Sequence, residues 1–175
     1  VGGKRKVRTT RNKGTRRVVG TAPVAVPSDL LFASAMKSLK VGDNHGAETA
    51  FRNLLANDPR DLRAALHLGA LLGETDRIDD AIDVFEGALP AAGPLTVENL
   101  AFYNNYANAL RRTDRLVAAE ELLREIVALA PGEWQPWHNL AQVLKEQKRY
   151  DEAAGAIRRA VLLAPEWGPN HGVLG

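Results

Sequence analysis

Along residues 134–167, WQPWHNLAQVLKEQKRYDEAAGAIRRAVLLAPEW, the apolar residues Trp137, Leu140, Ala141 and Leu144 recur at steps of three and four. A polar break at Glu146–Arg149 follows, and then Ala153, Ile157, Ala160 and Val161 repeat the spacing. Such steps put side chains on one face of a helix, so the stretch predicts a helix, a tight turn and a second helix. With Pro59, Pro131 and Pro165 as the closing residues, the same pattern recurs in 28–61, 62–95 and 100–133. Ala47, Phe51 and Leu54 face inward in the first of these. Leu68-Gly69 and Leu72, then Ala81, Phe85 and Ala88, do so in the second. Tyr103, Tyr106-Ala107 and Leu110, then Ala119, Leu123 and Ile126, do so in the third.

Thr75-Asp76-Arg77 and Thr113-Asp114-Arg115 hold the same turn yet stand 38 residues apart instead of 34. The four extra residues fall at about 96–99, between Pro90, which lacks a helix donor, and Asn99. Four residues approximate one helical turn, so the third unit's first helix is expected to begin early, near Thr96, with Pro90–Leu95 the most distorted connection. Ser28 and Asp76 are the expected caps of the helices that follow them. Ala35, Gly69, Ala107 and Ala141 share one place on the first helices, and Ala47, Ala81, Ala119 and Ala153 one on the second. Small residues there let antiparallel helices approach, so leucine at Ala119 or Ala153 should overpack the pair by roughly 1–3 kcal/mol. Ser34, Ser38 and Asn44 make the first unit's outer face polar, as an N-terminal end of a stack requires.

The order Trp137, Leu140-Ala141, Leu144, Tyr150, Ala153, Ile157, Ala160, Pro165 resembles the tetratricopeptide repeat (TPR), a 34-residue helix-turn-helix unit. The resemblance implies an all-α, right-handed superhelix of antiparallel helix pairs, an α-solenoid, whose first helices line a concave surface for an extended or helical peptide. Residues 168–175, GPNHGVLG, set Leu174-Gly175 where Leu140-Ala141 stand in the preceding unit, the start of a truncated fifth repeat. A longer parent, with further repeats or a catalytic domain downstream, is the expectation.

The non-core stripe of the first helices carries Phe32, Ala33 and Met36, then Arg63, His67 and Ala70. It continues through Asn104, Asn105, Asn108, Arg111 and Arg112 to His138, Asn139, Gln142 and Lys145. Asparagine is a poor helix-interior residue, and its amide offers a donor and an acceptor to any peptide group. Asn105 and Asn139 occupy the same place in successive units. They resemble the asparagine ladder of the TPR superhelix in O-linked N-acetylglucosamine transferase, which implies backbone capture. The candidate groove residues are Asn104, Asn105, Asn108, Arg112, His138, Asn139, Gln142 and His67. The other TPR mode, a basic clamp on a C-terminal carboxylate, is not matched, because the first unit offers Phe32 and Met36.

Composition changes this picture at one end. Net charge is +2, but residues 1–27 carry eight cations and no acidic residue. Residues 28–175 keep 15 basic against 21 acidic residues, a charge of −6. The tail reads as disordered over 1–20 and extended through TAPVAVP. Three roles fit it: an arm for nucleic acid or an acidic partner, a segment docking on the acidic body, or a solvated leader. Nucleic acid is not an expected partner, since only that tail suits phosphate contacts.

The chain has no cysteine, no Gly-rich phosphate loop and no paired metal-ligating histidines, and its four histidines fall in different units. No catalytic residue, metal or cofactor is expected. The acidic run from Glu74 to Glu86 reads as a solvated helix face. No apolar run reaches membrane-spanning length. The sequence thus predicts a non-catalytic, cytoplasmic module that binds a protein or peptide, not a small molecule. Two alternatives stand beside it: the substrate-recruiting region of a transferase, and a self-assembling scaffold whose uncapped C-terminal end pairs with another chain; the expected state is a monomer or a weak homodimer through that end.

Overall fold

A computed structural model describes residues 27–165, so the basic tail and the residues of the expected fifth repeat lie outside it. Every element among the described residues is helical: α1 (Ser28–Lys40), α2 (Asn44–Asn57), α3 (Leu62–Glu74), α4 (Ile78–Ala92), α5 (Leu100–Arg112), α6 (Leu116–Leu129), α7 (Trp134–Glu146) and α8 (Tyr150–Leu163). Consecutive helices pack as pairs, each pair leans on the next through α2·α3, α4·α5 and α6·α7, and the first helices touch through α3·α5 and α5·α7. The result is an α-solenoid in which each pair buries its apolar face against its neighbours.

One backbone device closes all four first helices. Gly42, Asp76, Asp114 and Lys148 have φ values of 78°, 62°, 60° and 63°, the left-handed region. The amides of the following residues, Asp43, Arg77, Arg115 and Arg149, donate back to Ser38, Leu72, Leu110 and Leu144 at 2.8–2.9 Å. These are Schellman closures, in which a left-handed residue lets the chain reverse while satisfying orphan carbonyls. Glycine fits that conformation without a Cβ clash; aspartate tolerates it, and lysine has no such excuse. Lys148→Gly is therefore expected to raise stability by about 1 kcal/mol, seen as a higher urea midpoint. A lower midpoint would show that Lys148 makes interactions worth more than its backbone strain.

Four local expectations are corrected. Ser28 is the first helical residue of α1, after Pro27, and no side chain caps that end. Asp76 does not cap α4: Arg77 holds that place without a side-chain bond, and Asp76 is the left-handed turn residue. Side-chain caps come from Asp43, which accepts from the Gly46 amide, and Asp61, which accepts from the Arg63 and Ala64 amides. Pro90 lies inside α4, which runs two residues further before Gly93, at φ 66°, turns the chain. Nor does α5 begin near Thr96, because the extra residues are taken up by a longer α4 and the connection 93–99. That connection is clamped. Asn99 donates its amide to the carbonyls of Ala92 and Pro94 at 2.9 Å and accepts from the Thr96 amide at 2.7 Å, while the Tyr103 hydroxyl donates to the Gly93 carbonyl.

The core is a continuous ladder of alanines and larger apolar residues. Ala47, Ala81 and Ala119 are fully buried on the second helices, whereas Ala153 on α8 is only partly covered. Across the outer surface, ion pairs tie neighbouring helix pairs together. Arg77 on α4's end reaches Glu48 of α2, and Arg149 reaches Glu120 of α6, both as close as 2.7–2.8 Å. Arg124 and Glu152 close the second contact into a four-membered ring. Burial pushes the Glu120 carboxyl up, but hydrogen bonds from Arg149 and Arg124 reverse this and hold it below the usual carboxylate range. Exposed pairs contribute about 0–1 kcal/mol each, so they set register more than stability.

Candidate functional site

The eight candidate residues fall in three places along the first-helix face. His67, on α3, is a packing residue: its ring stacks on Phe51 with centroids 5.7 Å apart and meets Phe32 edge-on at 5.5 Å. The Arg63 guanidinium lies 4.8 Å from the Phe32 ring centroid. Burial pushes the His67 pKa below its ordinary value, and burial with the nearby Arg111 charge does the same to His138. The unfolded chain therefore takes up protons as pH falls through about 6.5, before these folded rings do. Stability present above that pH is lost on acidification toward the lower folded pKa. The urea midpoint should accordingly drop between pH 7.5 and 5.5 (about one unit to either side of the histidine reference value). His67→Phe should shrink the drop without abolishing it, because His138 remains; an unchanged slope would mean that His67 protonates equally well in the fold.

The second place is the seam between α5 and α7. Asn139 donates its amide to the Asn104 side-chain oxygen at 3.0 Å, so these two satisfy each other. The Gln142 amide nitrogen stands 3.4 Å from the His138 ring Nε2, and Trp134 meets His138 edge-on. Arg111 bridges the same seam, donating to the Asn108 oxygen at 3.0 Å and pairing with Glu146 of α7.

The third place is a cleft between α3 and α5, about 220 Å³ in volume. From α3 it takes Gly69, Ala70, Gly73 and Glu74, and from α5 it takes Asn105, Asn108 and Arg112. Phe85 and Ile78 of α4 close its floor. Arg112 is held there by the Gly73 carbonyl at 2.5 Å and the Asp76 carboxylate at 2.7 Å, spanning the junction between two helix pairs. The Asn105 side chain makes no hydrogen bond with any described residue, and its amide is left to the cleft. The equivalent places Asn105 and Asn139 thus differ: one amide is open, the other engaged.

The α3 wall of the cleft is not among the candidate residues, although Ala70 stands on the groove stripe read from the sequence. The signal was present in the small residues Ala70 and Gly73, which stand where α1 has Met36 and Leu39 and where α7 has Gln142 and Lys145. Among the described residues no group of three or more His, Asp or Glu could hold a metal ion, and no helix is long and apolar enough to cross a membrane.

Comparison with known proteins agrees with the repeat architecture. Models described as tetratricopeptide repeat match residues 33–95, 100–143 and 134–167. The solved structure of MamA 41-end from Desulfovibrio magneticus RS-1 superposes with a TM-score of 0.68 at 21% identity, over 80% of this chain and 77% of that one. YrrB, described as a TPR protein with an unusual peptide-binding site, gives 0.63 at 18% identity, over 77% of this chain and 68% of that one. Both likenesses speak to the fold. Protein O-mannosyl-transferase Tmtc1 of Drosophila melanogaster is 36% identical over 105 residues, 58% of this chain but only 12% of that protein's length. With helix pairs closed by the same turn and repeat models matched from residue 33 to residue 167, this chain belongs to the tetratricopeptide repeat family.

Proposed function

We propose that this protein-interaction module holds a peptide or partner segment along its first-helix face, with the cleft between α3 and α5 as the point of capture. The observation that carries the reading is the open amide of Asn105 beside that cleft. A side-chain amide placed against a groove pairs with both the N–H and the C=O of a passing peptide group, whatever its side chain. Asn108 contributes less, since its oxygen already accepts from Arg111, and Asn104 and Asn139 hold each other.

A net hydrogen bond contributes about 0.5–1.5 kcal/mol, so Asn105→Ala should weaken peptide binding roughly two- to twelve-fold. Asn139→Ala should weaken it less, because its amide must first leave Asn104. The measurement is calorimetric titration of an extended peptide selected on the wild-type chain. Equal affinity in wild type and Asn105→Ala would move the function away from this face.

A second reading rests on the similarity to Tmtc1. Here the same face would recruit polypeptide substrates to a group-transferase centre on another part of the parent protein. Deleting the repeats from that parent should then raise KM for protein substrates while leaving short acceptors unaffected.

A further inference from the structure

The α3–α5 cleft is a local property of one junction. At two successive groove positions α3 carries Ala70 and Gly73, while the same positions are Asn108 and Arg111 on α5 and Gln142 and Lys145 on α7. Those long side chains fill the face elsewhere; the short ones leave a hole of about 220 Å³. That is below the roughly 300–1,000 Å³ of sites for drug-sized ligands, and it suits a single side chain. The apolar part of the lining is Ala70, Ile78 and Ala109 with an edge of the almost fully buried Phe85, so the fitting group is aliphatic.

The rim adds a charge. Glu74 lies at the mouth and makes no ion pair with any described residue. Arg112, the guanidinium among the lining residues, is neutralised by Asp76 and tied to the Gly73 carbonyl. The mouth is therefore net negative.

We infer that this cleft is a specificity pocket: it takes one aliphatic side chain of a bound peptide, next to a lysine or arginine that Glu74 recognises. The inference rests on the peptide-binding reading and adds to it a sequence preference that the asparagine amides cannot supply. Backbone capture tolerates any residue, whereas a side-chain-sized hole beside a free carboxylate does not.

The test uses the full chain, isotopically labelled, and NMR titration with three probes at millimolar concentration: acetyl-Lys-Leu-amide, acetyl-Lys-Gly-amide and acetyl-Glu-Leu-amide. The first should shift the amides of Gly69, Gly73, Asn105 and Asn108. Removing the leucine should weaken the interaction about ten-fold or more, the scale of burying one aliphatic side chain. Reversing the charge should weaken it roughly two- to five-fold, as for an exposed ion pair, and added salt should narrow that gap.

Ala70→Met fills the hole with the residue that α1 carries at this position, Met36, so the fold is retained and its spectrum reports that. In that variant the leucine preference should vanish. Shifts confined to other helices, no shift at saturating probe, or a leucine preference unchanged in Ala70→Met would each overturn the pocket. The two readings separate cleanly. If a selected longer peptide still loses affinity in Asn105→Ala while Ala70→Met is silent, backbone capture stands and the pocket falls. If no peptide perturbs the first-helix face, both fall.

Discussion

Replacing Phe85 with alanine should cost about 3–5 kcal/mol, the range for a fully buried phenylalanine. The ring is 1% exposed and stands at the junction of three helices. It meets Phe102 edge-on at 5.3 Å and Tyr106 at 5.9 Å, both on α5, and it covers Gly69 on α3. A Cβ built on Gly69 would come closer than 3.0 Å to three atoms of this ring, so glycine here lets the aromatic side chain lie directly on the helix backbone. The other first helices carry Ala35, Ala107 and Ala141 at that place, and the residues opposite are Phe51, Leu123 and Ile157. Phe51, in the first of these, stacks its ring on His67.

Solenoid stability is a sum of each pair's own stability and its neighbour contacts, so the loss should concentrate at one joint. Global stabilities of about 5–15 kcal/mol leave little margin for it. The expected result is a large fall in the urea midpoint. Hydrogen-exchange protection should be lost first in α3, α4 and α5, ahead of α7 and α8. Phe85→Leu, which installs the residue found at Leu123, should lose less. A cost under about 1 kcal/mol for the alanine variant would place the ring outside the core.

Much of the fold is legible in the sequence, and the reasons are local. Trp137 to Pro165 fixes one helix pair by helical spacing alone, and the recurrence of small residues at Ala35, Gly69, Ala107 and Ala141 marks where helices approach. Asp76 shows where such reading stops. An aspartate just before a helix is a good cap on statistics, but here the chain needs a left-handed residue to close α3, and that demand takes the position first. Pro90 fails for a related reason. A proline removes one hydrogen bond near a helix end, where few remain to be lost, so α4 runs through it to Ala92.

The candidate site divides the same way. Periodicity places Asn105 and Asn139 on one stripe, but whether an amide is open depends on which side chain stands across the seam. For Asn139 that is Asn104, 35 residues away in sequence. The cleft itself is made by what α3 lacks, and short side chains announce nothing by their chemistry. Ala70 and Gly73 become informative only when α5 is set against them.

Leucine at Ala119 should overpack the α6 packing surface by roughly 1–3 kcal/mol, whereas leucine at Ala153 should cost less than about 1 kcal/mol. Sequence position gives no reason for the difference, since both residues hold the same place in their helix pairs. The structure supplies it. Ala119 is fully buried on α6, which is packed by α5 on one side and α7 on the other. Ala153 and Ile157 on α8 are only partly buried, because among the described residues no further helix leans on them as α7 leans on α6. A leucine side chain in place of the Ala119 methyl must displace packed neighbours, and in close-packed interiors such displacement is felt over several residues. At Ala153 the same group can turn toward the uncovered side. Matched urea titrations of the two variants check this directly: a stable Ala119→Leu chain would break the helix register, and equal large losses would mean that α8 is covered in solution. The second outcome would be the informative failure, since a covered α8 face requires a helix that these residues do not include.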